Sequence, residues 1–263
     1  MIFIPILVAV FSGLGFGMLF FLGLNRPELT DANALLFFGV AFALILVGNL
    51  ADVIGWKHPK AVAELFPENG SAARRYERVF SWMALVLGAA LFLSKSSLNF
   101  HPTIVGLMTS GLSLATLLCG AMLYTSIKRV PRWSFLPSGA YILFAGIAGG
   151  AILVGQLVLS FALLGILAVV QIIDWLWGDR AANKRLKSGL TQYVIQGSLS
   201  EDDRNHKWKL RGAAFALMCI LPMLALWFVQ VSPMQIGLIL LSHLTGLLIS
   251  RALFLTSAEL TTS

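Results

Sequence analysis

The sequence predicts an all-α integral membrane protein, a bundle of eight transmembrane helices with both termini on the cytoplasmic side. Three observations lead there. The 263 residues are 58% hydrophobic and only 12% charged, whereas soluble domains carry roughly 25% charged residues. The apolar residues gather into eight runs, most of them near the ~20 residues that a helix needs to cross a hydrocarbon core. Finally, sixteen of the 19 Lys and Arg residues fall in segments that eight spans would place on one face.

The first run, near residues 2–24, lacks a basic leader region and is long enough to span, so it reads as a helix. The second and third, near 34–54 and 79–94, flank the polar segment "GWKHPKAVAELFPENGSAARRYE", residues 55–77. Within it, Pro59 to Phe66 reads as a short interfacial helix ended by Pro67. Ser71 reads as the N-cap of a helix that brings Glu77 to the membrane surface. The fourth run lies near 103–126. From Pro137 to Trp177 the only charge is Asp174, and that length fits two spans, near 136–155 and 158–177, joined by a tight turn near Val154 to Gln156. The last two lie near 212–231 and 235–256. Gly178 to Arg211, about 34 residues, is the longest soluble segment and reads as a docking loop or flexible link. The whole chain is one transmembrane domain, and the alternating ten-residue segments of a β-barrel are missing from it.

Orientation follows from the charges. Lys57, Lys60, Arg74, Arg75, Arg78, Lys128, Arg129, Arg132 and the eight basic residues between Arg180 and Arg211 share the face of the termini, against Arg26 and Lys95 opposite. The positive-inside rule places that basic face in the cytoplasm. The net charge of +7 then meets anionic lipid or an acidic partner, and nucleic acid is not needed to explain it.

Ionisable groups within spans are costly and mark functional candidates: Asp52, Asp174 and Arg251, all toward the basic face, with Asn49 one turn from Asp52. Asp174 reads more simply as an interfacial helix end, and Arg251 as a group that snorkels or pairs with a carboxylate. Glu77, beside Arg74 and Arg78, has an ion pair as its plainer reading. Of four histidines only His243 lies deep in a span, which argues against a haem ligated by two of them and suits an interhelical hydrogen bond. Cys119 and Cys219 lack metal-site spacing and read as buried small apolar residues. The glycines of "GFGMLFFLG" and "AGIAGGAILVGQ" read as contacts that let helices approach closely.

Three stretches resemble the dimethyl sulfoxide reductase anchor subunit family. "YTSIKRVPRW", residues 124–133, is similar to the family's Tyr-x-Ser-Ile-x-x-Val-Pro-x-Trp, with Tyr124, Ser126, Ile127, Val130, Pro131 and Trp133 in place. Pro59 followed by Glu77 matches the loop between helices two and three, and Arg251 with Phe254 in "LLISRALF" matches the last helix. Family members often carry a His four residues before that Pro; here the position is Gly55, and His58 stands next to Pro59.

The resemblance implies an eight-helix membrane subunit of a molybdenum oxidoreductase in a bacterial inner membrane. Such a subunit exchanges electrons between quinone (menaquinone or ubiquinone) and an iron-sulfur subunit, which passes them to or from a molybdopterin subunit, with neither haem nor cluster of its own. Oxidation of sulfite and reduction of a sulfoxide-like substrate both fit. Quinone chemistry moves two electrons and two protons, so its site needs an apolar slot, hydrogen-bond partners and a titratable group. Glu77 is the expected proton donor or acceptor. His58 or Tyr124 would contact a quinone oxygen, Trp56 would line the ring pocket, Arg251 would balance charge and Asp52 would extend the proton path. Lys128, Arg129, Arg132 and Trp133 are the expected docking residues. Rival readings are a small-molecule or ion transporter, which would show interrupted paired helices, and a structural anchor without a quinone site.

Overall fold

A computed structural model describes residues 3–27, 31–55, 72–96, 102–125, 136–187, 201–228 and 233–259. Among these residues there are helices and turns but no strands. The helices are α1 (Phe3–Gly23), α2 (Asp31–Val53), α3 (Ala72–Ser96), α4 (Pro102–Thr125), α5 (Leu136–Leu153), α6 (Leu157–Lys187), α7 (Glu201–Phe215), α8 (Leu221–Phe228) and α9 (Pro233–Glu259), with a π-helical turn, Ala216–Ile220, joining α7 to α8.

Seven helical stretches are long and apolar enough to cross a membrane, with α7, the π turn and α8 contributing one continuous stretch, Trp208–Phe228. The shorter α5 has 18 residues, which rise about 27 Å, just under the thickness of a hydrocarbon core. Large apolar side chains such as Leu35, Val86, Ile104, Val158 and Leu241 are exposed on the outside. So apolar an outer surface suits lipid rather than water.

The turn expected near Val154 to Gln156 is present. Gly155 adopts φ +71°, the left-handed conformation that glycine enters without a Cβ penalty. The Gln156 N–H donates to Ala151 O at 2.9 Å and the Gly155 N–H to Ile152 O at 3.0 Å. These paired bonds close α5 and reverse the chain into α6.

The segment from Gly178 to Arg211 differs from the expected loop. Helix α6 runs on to Lys187 and α7 begins at Glu201, with residues 188–200 outside the described set. The sequence explains both extensions. "RAANKRLK" is rich in good helix formers, and Glu201, Asp202 and Asp203 put negative charge at the positive end of the α7 dipole.

Helix α1 is the axis of the first half of the bundle: 72% of its span is buried, against 28–39% for the other long spans, and it packs on α2, α3, α4, α5 and α9. Its approach to α5 is set by glycines. A Cβ placed on Gly17 would stand 2.0 Å from Gly146 O, and one on Gly150 would stand 2.1 Å from Gly17 C. Two helix backbones touch there, as the glycine-rich stretches led one to expect.

The second half gathers α7, the π turn and α8 around α9, and Pro222 explains its irregularity. Proline has no N–H to return to a carbonyl one turn back. Where the helix widens, the Leu221 N–H reaches Ala216 O, so Leu217 O and Met218 O are left to side-chain donors. Successive residues of α9 supply them: Ser242 Oγ donates to Leu217 O and His243 Nδ1 to Met218 O, each at 2.8 Å. His243 is fully buried and forms the interhelical hydrogen bond its sequence position suggested. Its Nε2 faces α5, beside the Ala145 carbonyl but short of full hydrogen-bond geometry.

Candidate functional site

A partly open cleft lies where the two halves meet. It is lined by Ala9, Val10, Ser12, Gly13 and Phe16 of α1, Glu77 of α3, Thr116, Leu117, Gly120, Leu123 and Tyr124 of α4, Tyr141, Ile142, Ala145 and Gly146 of α5, and Leu247 and Arg251 of α9. Its free volume is about 70 Å³, well above the ~10–15 Å³ that admits one water. Glu77 early in α3, Tyr124 at the end of α4, Tyr141 early in α5 and Arg251 late in α9 share one level because neighbouring helices run in opposite directions.

Glu77 is buried at 8% exposure, and its carboxylate lies over Gly120 of α4, where a Cβ would stand 3.4 Å from Oε1. Arg251, also buried, holds its guanidinium 4.5 Å from the Tyr124 ring centre and 5.2 Å from that of Phe254. The Tyr124 and Phe254 rings meet edge to face at 5.4 Å. A cation on two aromatic faces is positioned at little cost in further hydrogen bonds. Three residues that are remote in sequence and were expected to act together, Glu77, Tyr124 and Arg251, thus line one cleft.

Asp52 has a different setting. Arg78 Nε donates to its Oδ2 at 2.9 Å and Arg74 Nη2 stands 3.5 Å from its Oδ1, so it ties the end of α2 to the start of α3. One turn deeper, Ser81 Oγ donates to Asn49 Oδ1. Asp52 does not line the cleft. Arg74 and Arg78, the neighbours of Glu77 along the chain, pair with Asp52 on this outer side.

Trp56, His58, Lys128, Arg129, Arg132 and Trp133 lie outside the described residues, as do the helix expected over Pro59 to Phe66 and the cap expected at Ser71. Gly55 follows α2 with φ +78°, a conformation that glycine enters without a Cβ penalty. That gives a physical reason for glycine at this position.

Asp174 and Arg211 correct simpler expectations. Asp174 is buried rather than interfacial, and Ser138 Oγ donates to its Oδ1. Arg211, counted among loop cations, is 2% exposed and sits 4.9 Å from the ring of Trp208 and 5.8 Å from that of Trp175. With Tyr141, Gln171, Ser250, Leu253 and Phe254 they surround a second, smaller cavity. Charge alone hid Tyr141, Ser138, Gln171 and Ser250 from the sequence reading; the signal that could have found them is uncharged polar side chains at equivalent depth in apolar runs.

No family model, curated protein or solved structure matches the chain.

Proposed function

We propose that this chain is the quinone-reactive membrane subunit of a molybdopterin oxidoreductase complex, spanning a bacterial inner membrane eight times with both termini and the basic loops in the cytoplasm. One observation carries the reading: a buried carboxylate, a buried guanidinium and two tyrosines line one largely apolar cleft. An apolar slot takes ring and tail, the Tyr124 phenol and the Arg251 guanidinium address the oxygens, and Glu77 exchanges protons as quinone plus two electrons and two protons becomes quinol, or the reverse. Electrons pass to or from an iron-sulfur subunit docked over Lys128, Arg129, Arg132 and Trp133, and from it to a molybdopterin subunit that handles sulfite or a sulfoxide-like compound. Trp56 is proposed to line the ring pocket and His58 to contact a quinone oxygen, both from outside the described residues.

The test is Glu77→Gln in membranes that hold the assembled complex, with attachment of the soluble subunits checked. Quinone-linked turnover should fall by about 100-fold, the lower range for losing a positioned acid or base. Unchanged turnover with intact assembly would remove Glu77 as the proton group and leave the anchor reading standing.

A further inference from the structure

Tyr141 is a wall of both cavities. Its ring lines the cleft beside Glu77 and Arg251, while its hydroxyl lies next to Ser250, with the charges of Arg251 and Asp174 in range. The residue is 3% exposed, and among the described residues its hydroxyl completes no hydrogen bond of full geometry. Across the second cavity, Gln171 Nε2 donates to Ser250 Oγ at 2.9 Å, which leaves Gln171 Oε1 likewise without a donor. A buried donor and a buried acceptor, each costly to leave unsatisfied, thus border the same space. That space is about 10 Å³, close to what one water occupies. One water in that space would have the Tyr141 hydroxyl as donor, Gln171 Oε1 as acceptor and the Asp174 carboxylate as a second acceptor.

We propose that Tyr141, this water and Asp174 form a proton relay between the cleft and the membrane face at the α6–α7 end. The inference rests on the quinone reading, because an occupant that fills the cleft mouth cuts Glu77 off from bulk water and makes an internal route necessary. The step balances simply. As the quinol in the cleft gives up a proton, Tyr141 accepts it on its oxygen and passes its own hydrogen to the water, and the water gives one to Asp174. One O–H bond breaks and one forms at each stage, and no electron moves.

The test uses membranes carrying the complete complex with Tyr141→Phe, Asp174→Asn or Asp174→Glu. Binding of menadione and of a short-chain ubiquinone is read by quenching of tryptophan fluorescence, and quinol oxidation is followed in light and heavy water. The relay predicts that quinone binding and KM stay within about twofold in all three variants. It predicts that kcat falls at least about tenfold in Tyr141→Phe and Asp174→Asn, with a larger solvent isotope ratio, and that Asp174→Glu recovers most of the rate. A merely structural tyrosine would not move the isotope ratio. Normal binding with an unaltered rate and isotope ratio in Tyr141→Phe and Asp174→Asn would overturn the relay alone. Failure of the unaltered chain to bind either quinone would overturn the quinone reading, and the relay with it.

Discussion

Helix α3 presents two ionic settings from adjacent residues. Glu77 and Arg78 point about 100° apart around the helix, and that single step separates a cleft from a clamp. Arg78 is half exposed and, with Arg74, holds Asp52. Glu77 is buried against Gly120, in a cleft it shares with Arg251. The partners of Asp52 come from the next helix along the chain, whereas the surroundings of Glu77 come from five helices. Ion pairs whose cation reaches solvent, as Arg78 does, typically contribute less than about 1 kcal/mol. A buried ionic group is costly to keep, and such groups in membrane proteins mark chemistry more often than stability.

Clamp and cleft share one support, the contact of α1 with α5, and its loss has the largest expected effect. Gly150→Val places a branched side chain into the backbone of α1, where even a Cβ lies 2.1 Å from Gly17 C. Overpacking of this kind costs about 1–3 kcal/mol or more, and the contact here is backbone that cannot rotate away. Size-exclusion profiles of the solubilised chain should show loss of the folded species, which removes clamp and cleft together.

The contrast itself is sharpened by paired neutralisations. Glu77→Gln should cost about 100-fold in quinone-linked turnover while the melting of the purified chain changes little. Asp52→Asn should leave turnover within about twofold. If the two carboxylates cost equal activity, the distinction between clamp and cleft is wrong and Asp52 belongs to a proton path.

A smaller effect is expected at His243→Ala. It strips Met218 O of its side-chain donor, and interhelical hydrogen bonds of this type average about 0.6 kcal/mol, reaching ~1.7. A stability loss in that range, measured by unfolding in mixed micelles, with turnover retained, would confine His243 to supporting the π turn. Loss of turnover at constant stability would instead make it part of the chemistry. The smallest change belongs to the clamp: Asp52→Asn should lower stability by under about 1 kcal/mol, a difference that shrinks further in high salt.

Much of the fold was legible because its causes are local. Apolar runs of the right length, the left-handed turn at Gly155 and the close-packing role of Gly17 and Gly150 can be read from residue type and spacing. The helical continuation beyond Trp177 was missed because polar composition was read as a loop, although its propensities favour helix. In the site, Glu77, Tyr124 and Arg251 were legible as candidates, while Asp174 and Arg211 were placed too near water. An ionisable residue near a span end looks the same in sequence whether it faces lipid headgroups or the bundle interior.

By itself, then, the sequence determined that this chain is helical and membrane-like, where its helices turn, and where basic residues collect. Lipid forces that outcome, since every backbone group in a hydrocarbon layer must find its partner within the segment, and apolar composition with punctuating glycine and proline is enough to specify it. Only the tertiary structure decided that Glu77, Tyr124, Tyr141 and Arg251 look into one cleft while Asp52 looks out. The rotation of each helix about its axis is set by contacts such as Gly17 on Gly150 and Ser242 and His243 on the π turn, and these join residues that no local pattern connects.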